Sequence, residues 1–100
     1  MGFQPRWMEV GFVAWRTVDA GTTGDAMTTE GRFFGFSVRA TAANATLLVA
    51  DGNGGDVLAD VGVAVDGDSD TVFFGPQGIR VENGVHVTSS NVSGVVYVSD

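Results

Sequence analysis

From residue 32 onward, apolar and polar positions alternate with period two. In RFFGFSVRATA, Phe34, Phe36, Val38 and Ala40 fall on one side and Phe33, Gly35, Ser37 and Arg39 on the other. In VLADVGVAV, Val57, Ala59, Val61, Val63 and Val65 share a side. Successive side chains of a strand point to opposite faces, so each run predicts a strand with one buried face. ATLLVA, TVFF, GIRV, VHVTSS and VVYVS add further short runs. Gly75-Pro76, Asn83-Gly84 and Ser93-Gly94 punctuate the later ones, and Asn-Gly between apolar runs predicts a hairpin because both residues tolerate positive φ. With one strand inside residues 1–18, about eight short strands are expected. No long segment keeps a helical period. The pattern predicts an all-β, antiparallel β-sandwich or jelly-roll-like fold with an N-terminal arm. The expected organisation is a single domain: an arm and first strand over 1–18, a polar Gly- and Thr-rich loop over 19–31, and the sandwich over 32–100.

Composition supports this reading. Valine occurs 17 times and threonine nine, against three leucines and one isoleucine, and glycine occurs 15 times. Val and Thr are stiff at the β-carbon and suit a pleated surface, and Gly serves turns. A chain of 100 residues leaves a large share of its surface unburied, so a partner or further copies would help stabilise it. Without cysteine there is neither a disulfide nor a thiolate metal site. No stretch reads as a secretory signal or a membrane span.

Charge changes the picture further. Residues 1–50 hold four acids and four arginines, whereas 51–100 hold eight acids and only Arg80, and lysine is absent. An acidic half repels phosphate, which argues against nucleic-acid binding. The asymmetry suggests a Trp- and Arg-bearing surface that docks and an acidic one that faces water.

Candidate chemistry is sparse. DGNGGDVLAD and DGDSD concentrate acids, and a calcium ion held between these turns would use Asp51, Asp56, Asp66 and Asp68. GNGGDVL resembles one unit of a calcium-binding β-roll repeat, but such sites need several consecutive units, and the spacing does not match an EF-hand loop. Asp-Gly closes turns by local hydrogen bonding and positive φ, so these acids are read as strand-ending residues and no metal or other cofactor is assigned. The sole histidine, His86, sits between Val85 and Val87. Those two face the core and His86 points away from it. A Ser89–His86–Asp trio is a chance composition, and no nucleotide loop, zinc spacing or nucleophile elbow is present. The expectation is a protein that is not an enzyme.

The stretch ATLLVADGNGGDVLADVGVAV followed by TVFFGPQGIRVENGVHVTSSNVSGVVYVS resembles small β-sandwich structural proteins of tailed bacteriophages. The resemblance implies a virion building part. The expectation is a capsid decoration, or cement, protein, made in the host cytoplasm. It would dock on the major capsid protein or other virion proteins as a homo-oligomer, with a trimer favoured. Arg6, Trp7, Phe12, Trp15 and Arg16 are the expected contact residues, since Trp, Phe and Arg make natural interface anchors. The 19–31 loop is a second expected contact. A tail or head–tail connector subunit and a carbohydrate-binding adhesion module are the alternatives.

Overall fold

The computed structural model describes residues 15–63 and 66–100. The chain is all-β there: β1 (Arg16–Asp19), β2 (Gly24–Met27), β3 (Gly31–Ala40), β4 (Ala45–Asp51), β5 (Val57–Val63), β6 (Ser69–Phe73), β7 (Ile79–Val81), β8 (Val85–Ser90) and β9 (Val92–Ser99). Two antiparallel sheets result. The first runs β1-β9-β3-β6, with β7 continuing the β6 edge along β3, and the second runs β2-β8-β4-β5. The partners are nested: β1 with β9, β2 with β8, β3 with β6 and β7, β4 with β5. A long antiparallel ribbon rolled up in this way is the jelly-roll winding. Only the β4–β5 hairpin and the β6–β7 break connect strands within one sheet; every other connection crosses between sheets.

The core is the valine-rich layer between the sheets. Phe33, Phe36, Val38, Val81, Val96 and Val98 from the first sheet meet Leu47, Val49, Val85 and Val87 from the second, all at most 2% exposed. Burying each such side chain favours folding by roughly 1.5–3 kcal/mol, which makes this layer the main stabilising element.

The register shifts at three places among the described residues; one lies between Asp25 and Met27 in the β2–β8 pair, and the other two change which side chains face the core. In β3 the register against β9 shifts between Phe33 and Gly35. Phe33 therefore joins the core, reversing the side expected for it, while Phe34 is buried on the opposite face of the sheet. In the β4–β5 pair the register shifts between Val49 and Ala50, so Ala50 meets Val57. Val57 is 60% exposed, whereas Leu58, Ala59 and Val61 pack against the core. An extra residue on one strand inverts the facing of everything beyond it. Val65, expected on the same side, lies outside the described residues.

Three connections also differ from expectation. The 19–31 segment contains β2, which pairs with β8 and contributes Met27 to the core. Asn83-Gly84 is not a hairpin turn, because β7 belongs to the first sheet and β8 to the second. Ser93-Gly94 lies inside β9, and the preceding crossing is made at Asn91, whose φ is 58°.

Candidate docking face

Bulging at Phe33–Gly35 builds a solvent-facing aromatic cluster on the outside of the first sheet. Gly35 pairs with Phe73 on one side and Tyr97 on the other. Lacking a side chain, it lets the β6 backbone at Val72 and Phe73 approach β3 closely. The Trp15 indole, just before β1, packs among the rings around it. Its ring centroid lies 5.2 Å from Phe73, 5.5 Å from Phe34 and 6.1 Å from Tyr97. The tilted and edge-on geometries are those that aromatic quadrupoles favour. Phe34 is fully buried beneath Trp15 and beside the Gly78 backbone, while Trp15 and Phe73 remain 40% and 49% exposed; Phe74 packs instead on the core residue Phe33. A group of large rings open to water on a sheet face marks an interaction surface more than a solvated one.

Arginines border the cluster. Arg32 and Arg80 stand directly opposite each other in the β3–β7 register. Arg32 donates to the Gln77 carbonyl at 2.9 Å, and Arg80 lies 3.6 Å from the Glu30 carboxylate. At the far end Arg39 is flanked by Ser69 and Ser93, and the Ser37 and Thr71 hydroxyls share a hydrogen bond of 3.0 Å.

Of the expected contact residues, Trp15 is at the centre of this cluster. Arg16 is not part of it: its guanidinium binds Asp100 at 3.0 Å and ties β1 to the end of β9. Arg6, Trp7 and Phe12 lie outside the described residues. Phe73 and Tyr97 were not among the expected contact residues. Alternation in VVYVS already sets Tyr97 opposite Val96 and Val98, and that was the available signal.

The acidic turns serve the backbone. The Asp51 carboxylate accepts the amide protons of Glu82 at 3.1 Å and Asn83 at 2.7 Å, tying the end of β4 to the β7–β8 crossing. The Asp51 amide donates to the Asp56 carbonyl at 2.8 Å, closing the β4–β5 turn. Before β6, the Ala40 amide donates to the Asp68 carbonyl, and the Gly67 amide next to Asp66 donates to the Ala40 carbonyl. Among the described residues, no group of three or more His, Asp or Glu side chains is placed to hold a metal ion. At the β1–β2 connection, the Gly21 amide and the Thr22 hydroxyl hold the Asp19 carboxyl below its ordinary pKa.

His86 pairs in register with Asp25 on the outside of the second sheet, its Nδ1 2.7 Å from the Asp25 carboxylate. Ser89 is opposite the core residue Leu47 and points inward, its hydroxyl buried. The histidine and the serine thus lie on opposite faces of β8, and the strand does not assemble a nucleophilic trio.

In comparisons with known proteins, no family model, no curated protein and no solved structure matches this chain.

Proposed function

We propose that this chain is a non-catalytic assembly subunit of a virion, most concretely a decoration protein that docks on the capsid shell of a tailed phage through the outside of its first sheet. One observation carries the reading: the cluster of exposed Trp15 and Phe73 with half-buried Tyr97, bordered by Arg32, Arg39 and Arg80, on a chain whose net charge is −7. Desolvated aromatics with arginines at their margin are the residues that concentrate binding energy in protein interfaces. The acidic turns at the other margins keep the remaining surface soluble. The family resemblance noted in the sequence supports the virion setting, and the jelly-roll winding is compatible with it without requiring it.

The test is co-sedimentation of the purified chain with capsids of the phage that encodes it. Phe73→Ser removes a ring that is half-exposed, so the variant is expected to fold and to lose capsid binding. Unchanged binding by a folded Phe73→Ser, Arg80→Glu double variant would overturn the proposal. A second reading, carbohydrate binding on the same rings, is favoured by the Ser37 and Thr71 hydroxyls beside them. Binding of neutral oligosaccharides that quenches Trp15 fluorescence and is lost in Phe73→Ser would select it over docking.

A further inference from the structure

A second surface, independent of the first, lies along the free edge of β5. Among the described residues β5 hydrogen-bonds to β4 alone. It is the longest edge strand there, at seven residues, with a single bulge at its Val57 end. The other edges are four-residue β1 and β2, and the β6–β7 edge split into five and three residues around Gly75-Pro76. Short or interrupted strands are how folds blunt an edge, and β5 lacks this protection. Among the described residues the sandwich is also incompletely closed beside it. Leu58, Ala59 and Val61 on this lip, and Val72 and Ile79 on the facing lip of the first sheet, are only partly buried.

Acids predominate along this edge, although the Arg39 guanidinium reaches the Gly67 turn at its far end. Asp56 and Asp60 are exposed on or beside β5, Asp66 and Asp68 are exposed beyond it, and Asp70 lies on the facing strand. Among the described residues none of these five acids enters an ion pair. From this combination we infer that β5 accepts an added strand from a partner protein, an extended segment whose apolar residues alternate with lysine or arginine. The segment's main chain would take up the free hydrogen-bonding groups of β5. Its apolar side chains would close the seam over Leu58, Ala59 and Val61, and its cations would lie along Asp56 and Asp60. A second copy fits poorly: two-fold pairing of β5 with itself, centred on the strand, brings Asp60 against Asp60, and like charges directly opposite are destabilising.

Hydrogen exchange of the full chain tests this, with a short peptide of alternating lysine and valine as the added strand. The peptide is expected to slow exchange of amides within 57–63, and a glutamate–valine peptide to leave them unchanged. Asp60→Lys should weaken binding at least about tenfold, and Asp60→Asn by less, as expected for a charge-assisted contact; a melting curve for each variant confirms that it folds. The inference is overturned if the lysine–valine peptide leaves 57–63 unprotected or protects the Trp15 face instead. It is equally overturned if both peptides act alike, or if the chain alone protects β5 by self-association. None of these results bears on capsid docking through Phe73, which is read out separately.

Discussion

Gly35 is the position on which both the core and the docking face depend, and replacing it with alanine tests that dependence. Its φ of 140° belongs to a region that side-chain-bearing residues rarely occupy. A Cβ placed there would lie 2.0 Å from the Val72 carbonyl oxygen, 2.9 Å from the Val72 carbonyl carbon and 3.1 Å from the Phe73 Cα. These are backbone atoms of the paired strand, so relief requires β6 to separate from β3. Strained backbone costs about 1–3 kcal/mol and an overpacked contact about as much again, giving roughly 2–6 kcal/mol in total. For a domain of this size each kcal/mol lowers the melting midpoint by about 4–8 °C. Urea and thermal unfolding of Gly35→Ala should therefore show a loss that is a large share of the total stability. Gly62 in β5 is the internal control. Its φ is not in the left-handed region, and its added Cβ would meet nothing within 4 Å. Gly62→Ala should be neutral or stabilise by about 0.5–1 kcal/mol, because it reduces the freedom of the unfolded chain. If Gly35→Ala costs less than about 0.5 kcal/mol, or Gly62→Ala costs as much as Gly35→Ala, the account of the β3 bulge is wrong.

Other outcomes follow from the same geometry. Asp51→Ala should lower stability by about 1–2 kcal/mol, since two backbone amides lose a charged acceptor, while added calcium or a chelator should leave the wild-type melting temperature unchanged; a calcium-dependent rise lost in Asp51→Ala would overturn the turn-closing role. Deleting residues 1–18 should cost roughly 3 kcal/mol or more beyond deleting residues 1–14, because only the longer cut uncovers Phe34 and strips most of β1 from β9. Equal melting temperatures for the two deletions would show that Trp15 is not the cover of Phe34. The Asp19 carboxyl, held low by the Gly21 amide and the Thr22 hydroxyl, contributes stability above the ordinary carboxylate pKa of about 3.9, and this contribution fades as pH falls through the lower folded value. An NMR titration of Asp19 with a midpoint at or above the ordinary value would contradict this.

Much of the architecture was legible because the sandwich has to bury one face of every strand. The runs at 45–50, 71–74, 78–81, 85–90 and 95–99 appear within β4, β6, β7, β8 and β9 or within a residue of their ends. The inward valines Val85 and Val87 were correctly separated from His86. Strand β2 was not legible, because Gly24–Met27 spells GDAM and supplies only half a turn of alternation; its strand character comes from pairing with β8. The jelly-roll winding was also hidden. Asn83-Gly84 has the composition of a tight hairpin, and only tertiary packing decides that the chain leaves one sheet for the other there.

The misplaced residues cluster for a physical reason. Period-two counting assumes one residue on a strand for each residue on its partner, and a bulge breaks that assumption with no fixed sequence mark. Two of the three register shifts lie beside the two proposed surfaces, and the third is in the β2–β8 pair. The one at Phe33–Gly35 moves Phe34 outward, where the Trp15 ring packs on it. The other, at Val49–Ala50, exposes Val57 at the head of β5 and sets Leu58 along the open lip. A residue turned out of the core loses its burial energy, so a bulge that exposes rings or valines is retained only where something else covers them. For Phe34 the cover is Trp15, within the chain itself. For Phe73 and Val57 no described residue supplies it to the same degree, so these are the side chains whose covering would add most to the two proposed contacts.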